Sequence, residues 1–536
     1  MKRILFAALI LIFAAGAHAK TPRQDEIMQA MKDEITRSQS QLKLDKMARP
    51  YFIAYKVKTF ERIYISAQRG RLTSARRSEY IYPKVSLRAG NSKEDSSFFD
   101  SYIYPSYQGA SPTSGYNGLR AALWDATNHA YNNALAQLAK KQAYKKNRNI
   151  TNEMAAFSAA KPAGDLQQIT PPAFDETYWK EAAEQTSAEG QIKELDNFKS
   201  DISLSFEPVY FLNSEGAAYT RQNIFIVITF NAAAKTKDGF ELNETRQYVY
   251  TDLKEVPPLQ ELKQKALNLA QETAALTKSP KAEAFIGPVM LEGPAAAAFL
   301  EEVFYPAAIN VRPVYSDTAD PAFGEFSQKL GLKVMPADFD VYNNPLQTSF
   351  DGVRLAGAAA VDDEGAAAQN IQLVKAGILT LLPATRSLIK GQKATNGHAY
   401  LNLFGNNLFA SADLNNLFFI PQNPVAKEQF KQKFMEYCKE EGLSYCYIVR
   451  SNPLAPQVSA YKMDAQTGAE TPVHGLTFTD IKNTRALRFI KYAADDLKPY
   501  NRPYGFSLVA PSLILTEAEA RPSKRAPVRA PLVPRP

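Results

Sequence analysis

Apolar residues recur every third or fourth position through DEIMQAMKDEITRSQSQL, placing Ile27, Met31 and Ile35 on one face, and that period predicts a helix. The pattern then changes to alternation in PYFIAYKVKTFERIYISAQ and SEYIYPKVSLRAG, which predicts two sheet strands. From Asn91 to Asn117 Ser, Tyr, Gly and Pro dominate and mark a loop. Leu119 to Lys146 returns to a long amphipathic helix, and after a Pro- and Ala-rich connector TYWKEAAEQTSAEGQIKELDNF resumes helix. LSFEPVYFLNSEGAAYT turns at Asn213-Ser214-Glu215-Gly216 into the strand-like IFIVITFNAAAKTKDGFELNETRQYVYTDL, and a helix from Pro257 to Pro280 closes this half. Beyond Lys281 short strands prevail. Strands and helices interleave without the regular period of a parallel barrel, so the reading is an α+β protein of two domains, a mixed N-terminal half over 20–280 and a strand-rich C-terminal half over 281–518.

The ends of the chain change the picture. MKRILFAALILIFAAGAHAK places Lys2 and Arg3 before an apolar run from Ile4 to Ala15 and a small-x-small site at Ala17-His18-Ala19, the form of a secretory signal over residues 1–19. The run is shorter than the roughly 20 residues that span a bilayer, and no later segment comes closer, so no transmembrane segment is expected. The expected location is periplasmic or extracellular. The formal charge is +8, but Lys2 and Arg3 leave with the signal and five cations, Arg521, Lys524, Arg525, Arg529 and Arg535, stand in the last 16 residues, which hold no acid. The body is left at about +1, which lacks the cationic footprint of nucleic-acid binding. The Pro-rich basic terminus, taken as residues 519–536, cannot bury enough apolar surface to order itself and is expected to be disordered.

Candidate chemistry is sparse. Cys438 shares a helix face with Phe430 and Phe434, and Cys446 opens the strand-like YCYIVR. Both read most simply as core residues, while an oxidising compartment leaves a helix-to-strand disulfide open. Their spacing without a nearby His matches no zinc pattern. His129 lies in the long helix, His398 in the Gly-containing TNGHAYLN and His474 ahead of a strand, and no two share a helical spacing. There is no G-x-S-x-G, P-loop or G-x-G-x-x-G. Two acidic groups remain. Glu301 and Glu302 lie on the predicted helix AAAAFLEEVFY with side chains about 100° apart. Asp362, Asp363 and Glu364, followed by Gly365, form an acidic turn between strand-like segments.

Taken in order, NSEG at Asn213 to Gly216, VMLEGPAAAAFLEE, AAAVDDEGAAAQNIQLVKAGIL, TNGHAY and SAYKMDAQTGAETPVHGLTF resemble the TldD/PmbA proteins, a metallopeptidase family also called modulators of DNA gyrase. The resemblance runs over roughly Ile202 to Glu519 and is most specific from Asp362 to Gly377; the region before Asn91 is similar to the start of longer, exported members. It implies the two-domain fold of that family. Active members carry a helical H-E-x-x-x-H with two zinc-binding histidines and a late Cys. Alignment on that motif puts Glu301 at the first His, Glu302 at the catalytic Glu and Pro306 at the second His, and Asp495 to Pro511 holds no Cys. Zinc is therefore not expected as a cofactor and no metal ligands are assigned. The resemblance implies a non-catalytic subunit, a pseudoenzyme that binds peptide or a TldD/PmbA-like partner as a homo- or heterodimer, with Glu302 as the surviving catalytic position. The alternative is a divergent metal-dependent peptidase whose carboxylates, Glu301, Glu302, Asp362, Asp363 and Glu364, converge with His398 on Mg, Ca or Mn.

Overall fold

The computed structural model describes residues 24–99, 115–150, 155–237, 239–309, 324–389, 392–400 and 410–523. The signal over 1–19 and the terminus from 524 onward lie outside them. The N-terminal half begins with helix α1 (Gln24–Gln41) and a hairpin of two 19-residue strands, β1 (Pro50–Gln68) and β2 (Arg71–Ala89). Helix α2 (Gly115–Asn147), the short β3 (Gly164–Leu166) and α3 (Glu176–Glu189) follow. Strands β4 (Asn197–Asn213), β5 (Ala218–Lys235) and β6 (Glu241–Tyr250), then α4 (Leu259–Leu276), complete it. The strands form one sheet ordered β2-β1-β4-β5-β3, with β6 also pairing to β5.

Alternation along β1 explains how this sheet is used. Its odd-numbered residues are buried against helices: Ile53, Tyr55 and Val57 share a core with α1 and α2, and Ile63, Ile65 and Ala67 share one with α3 and α4. Four helices therefore cover one face, and the even-numbered face is left for the second half of the chain. Two predicted helix ends differ from the structure. α2 starts at Gly115, inside the expected loop, and α3 stops at Glu189 rather than running to Phe198. A Cβ at Gly190 would lie 2.4 Å from the Phe198 ring, and Phe198 is needed in β4, where its side chain is fully buried.

The second half contains two further six-stranded sheets among the described residues. One is built around β7 (Phe285–Leu291), which pairs in parallel with Tyr445–Val449 and antiparallel with Leu513–Pro522. The other centres on β8 (Phe339–Asn343) and Asn416–Pro421. Helix α5 (Pro294–Ala308) and helix α6 (Lys427–Glu440) pack into one large core with these sheets. The disordered terminus assigned from 519 begins too early: Glu519 to Pro522 belong to a strand in register with β7 and Glu470–Phe478, with Ala518 and Ala520 fully buried. His474 lies within a strand rather than ahead of one, buried, its Nδ1 3.0 Å from the Ser279 hydroxyl. Cys438 and Cys446 form a disulfide that ties the end of α6 to the adjoining strand. No helix of the described residues is long and apolar enough to cross a membrane, which leaves strand-built barrels unaddressed.

Candidate functional site

The even-numbered face of β1 faces a cavity of about 640 Å³ between the two halves. Its floor is a stretch of sheet in which Lys56, Lys58, Phe60 and Arg62 stand at alternate positions of β1. Register carries the row sideways: Lys58 lies opposite Val209 of β4, which lies opposite Arg221 of β5. The roof comes from the other half, chiefly the small-residue run Ala356-Gly357-Ala358-Ala359, together with Tyr400, Asn415 and Tyr504. Tyr305 of α5 and Asp413 close one end and are hydrogen-bonded to each other at 2.6 Å. A second cavity of about 660 Å³ adjoins the first across Arg221, Asn223 and Ala356.

The charges on the floor are paired two to one. Lys56 Nζ lies 2.5 Å and Arg221 4.0 Å from the Asp363 carboxylate, which the Tyr219 hydroxyl also donates to. Lys58 lies 2.6 Å and Arg62 3.6 Å from Glu207. Burial pushes the Lys56 ammonium down to about 8 even though Asp363 opposes it, and Lys84, its cross-strand neighbour on β2, is pushed down to about 8 by burial and by Lys56. Burial would raise the Asp363 carboxyl, but Lys56 and Arg221 outweigh it and hold the group below its ordinary value. Across the cavity, burial raises Asp413.

The acidic turn lies beside this floor, on the same face of the sheet. It grips the N-terminal half. Asp362 is satisfied within its own half, accepting from the backbone N–H groups of Glu364, Ala366 and Ala399 at 3.0, 2.8 and 3.1 Å. Burial and the neighbouring Glu364 nevertheless push its carboxyl up to about 8. Asp363 reaches Lys56 on β1. Glu364 accepts from Arg88 of β2 at 3.3 Å and from the Arg386 backbone N–H at 2.6 Å. The Arg88 and Arg386 guanidiniums sandwich the Phe157 ring at 4.0 and 3.9 Å from its centre. The Asn213 amide donates to the Glu364 carbonyl at 3.3 Å, so the NSEG turn and the acidic turn, 151 residues apart, touch directly. Gly365 has φ +82°, and a Cβ there would sit 2.5 Å from Asn213 Nδ2 and from Ala217 Cβ.

Helix α5 disposes of its two glutamates differently. Glu301 shares a face with Tyr305. Its carboxylate accepts from Arg502 Nε at 2.7 Å, with Arg502 Nη2 at 2.5 Å, and from the Tyr504 hydroxyl at 2.7 Å. Glu302 accepts from Asn452 Nδ2 at 2.6 Å instead. Pro306 does not stop the helix, which continues to Ala308; it falls so near the end that its missing N–H costs a single bond at the carbonyl of Glu302. His398 is fully buried, its Nδ1 2.8 Å from the Asn396 carbonyl oxygen, and burial pushes it down to about 4. His129 is more than half exposed beside Asp125.

Of the residues singled out by sequence, Glu301, Glu302, Asp362, Asp363, Glu364 and His398, none lines the cavity, and they divide among the α5 surface, the buried turn and a buried loop. No group of three or more His, Cys, Asp or Glu residues able to hold a metal occurs among the described residues. The donor set at α5 does not fit zinc: one carboxylate is engaged by a guanidinium and a phenol, and the position one turn on is proline. The residues that do line the cavity, Lys56, Lys58, Arg62 and Arg221, are not among the sequence-predicted candidates, because alternation by itself indicates only a strand. Three cations in one seven-residue strand segment facing the same side was the available signal.

Residues 286–434 match the family described as the PmbA/TldA metallopeptidase C-terminal domain. Among solved structures, a candidate modulator of a DNA gyrase from Thermotoga maritima MSB8 superposes with TM-score 0.60 at 11% identity, covering 92% of this chain and 99% of that one. TldE from Thermococcus kodakarensis gives TM-score 0.60 at 11% identity over 92% and 100%. A candidate modulator of DNA gyrase from Bacteroides thetaiotaomicron VPI-5482 gives 0.57 at 12% over 93% and 98%. At such identities the likeness carries the fold. No curated protein sequence matches the chain.

Proposed function

We propose that this member of the TldD/PmbA family is an exported, non-catalytic subunit that holds peptide in the cavity between its halves, alone or with a TldD/PmbA-like partner in proteolysis. The observation that carries the reading is the Arg502–Glu301–Tyr504 clasp. Two stretches from which the family resemblance would draw metal ligands, α5 and Asp495 to Pro511, are here joined to each other by an ion pair. A guanidinium 2.5 Å from that carboxylate adds a positive charge where a dication would need negative ones.

The shape of the site favours an extended occupant. The two cavities run together across Arg221 and Asn223. Strand β5 pairs with β3 only over Ala218–Thr220 and with β6 only from Ile226 onward, leaving Arg221 to Phe225 without a strand neighbour on that side among the described residues. A strand stretch lacking a strand neighbour beside a groove suits a peptide main chain. Residues 1–19 support secretion to the periplasm or beyond. The alternative, a carboxylate-ligated peptidase, has less support, because Glu302, Asp363 and His398 each engage a different partner.

The test is the metal content and peptidase activity of the mature chain, purified without chelator or immobilised metal. Less than about 0.1 ion per chain and no cleavage of a peptide library are expected. Stoichiometric metal together with cleavage abolished by Glu302→Gln would overturn the reading.

A further inference from the structure

We infer that the end of the cavity formed by Asp413, Tyr305, Tyr504 and Phe506 is an ammonium site, which takes a primary amine of the bound ligand. This rests on the peptide reading for the ligand's identity and adds the group by which the peptide is recognised. Asp413 carries the argument through the partner it lacks. The Tyr305 hydroxyl at 2.6 Å and the Leu414 backbone N–H at 2.7 Å both donate to its Oδ1. Oδ2 receives no donor from the described residues, yet it is not shut off from solvent, so it opens onto the cavity that Asp413 lines. Burial raises the carboxyl, and only the two neutral donors oppose that; no ammonium or guanidinium is among the groups that act on it. The cations nearby are committed elsewhere: those of the floor face Asp363 and Glu207, and Arg502 of the clasp faces Glu301.

The aromatic rings at the same end supply an independent sign of the same charge. Tyr305 and Phe506 meet edge to face with ring centres 5.1 Å apart, and Phe506 and Tyr504 lie nearly parallel at 6.4 Å. The three rings thus form one continuous wall, and it adjoins Asp413 because the hydroxyl of its first member is the one that reaches the carboxylate. Ring faces attract a cation and offer nothing to an anion, and the pairing of such faces with a carboxylate suits an alkylammonium. A primary ammonium brings three donors, of which one can complete Oδ2 in a charge-assisted bond while its carbon chain lies along the rings. Entry of that charge also offsets the burial that Asp413 otherwise meets without a counter-ion.

A peptide carries a primary ammonium at its N-terminus or on a lysine, and calorimetric titration of the mature protein separates the two. The probes are hexa-alanine amide with a free N-terminus, its N-acetylated form, and the acetylated form with one internal lysine. An N-terminal ammonium in the site makes the acetylated form bind at least about tenfold more weakly, the scale of one charge-assisted hydrogen bond. If lysine is the source, the lysine-bearing form exceeds the plain acetylated form by that factor. Asp413→Asn should abolish whichever preference is found. Tyr504→Leu is the safer variant for folding because the residue is 65% exposed, and it should cut the preference about two- to fivefold, the scale of one cation–π contact. Equal binding of all three probes, or a preference that both variants leave intact, would overturn the ammonium inference and leave the peptide reading standing. Binding of n-butylammonium, lost in Asp413→Asn, with no binding of any peptide would do the reverse. Silence from every probe overturns both.

Discussion

The joint between the halves can be probed at one atom pair by changing Asp363 to Asn. The substitution keeps shape and removes the charge that faces Lys56 at 2.5 Å and Arg221 at 4.0 Å. Asp363 is fully buried on its side chain, Lys56 is 8% exposed and Arg221 17%, so solvent does little to replace the lost partner. Breaking a buried pair by deleting one member costs about 3–5 kcal/mol, mostly as an uncompensated charge. Against a usual folding stability of about 5–15 kcal/mol that is a large fraction. Urea unfolding followed by the fluorescence of the buried Trp179 should show a loss of unfolding free energy of that size at pH 7. The double change Lys56→Met with Asp363→Asn removes the stranded ammonium and should recover more than half of the loss. A single-mutant cost below about 1 kcal/mol, or a double mutant as unstable as the sum of its parts, would refute the claim that this pair joins the halves.

Three further outcomes are expected. Ala at Gly365 must adopt φ near +82° and meet Asn213 and Ala217 at 2.5 Å, so Gly365→Ala should cost at least about 1–3 kcal/mol by thermal denaturation, whereas Gly442→Ala, which meets nothing within 4 Å, pays only for its backbone. The disulfide Cys438–Cys446 closes a short loop, and replacing both cysteines by alanine should cost about 2–3 kcal/mol in urea unfolding. His398 is held near 4 in the fold against 6.5 in the open chain, so the unfolded state binds the proton first. The stability it contributes is complete above 6.5 and is lost as pH falls from there toward 4, by about 3 kcal/mol in total, and His398→Gln should flatten that part of the stability profile.

Local period carried the N-terminal half. The 3.6-residue spacing around Ile27, Met31 and Ile35 and the alternation from Tyr51 to Gln68 each survive as an element, because long strands and helices impress their repeat on many residues. The second half was legible only as strand-rich. Strands such as Val353–Arg354 and Ile378–Leu379 are two residues long, too short for any period, and their partners are chosen by the packed core. The acidic turn could be read as a turn because Asp and Gly favour that backbone. Its role could not, because Lys56 stands 307 residues away from Asp363 and nothing in the intervening sequence announces the meeting. The α5 glutamates illustrate the same limit: helical geometry separates Glu301 from Glu302, but Arg502 as the partner of Glu301 comes from tertiary packing 201 residues on.

The two-faced character of β1 has a consequence for how faithfully the chain folds. A one-residue slip of a strand exchanges its faces, and here it would carry Lys56, Lys58 and Arg62 into the helix-packed core while turning Tyr55, Val57 and Ile63 toward the cavity. Burying three unpaired cations would cost far more than a misaligned ladder of hydrogen bonds could return. A strand with a bland polar face would lack that safeguard over its 19 residues. The cavity charges thus act on the chain as it folds, as a proof-reading device that makes misaligned versions of the longest hairpin self-defeating.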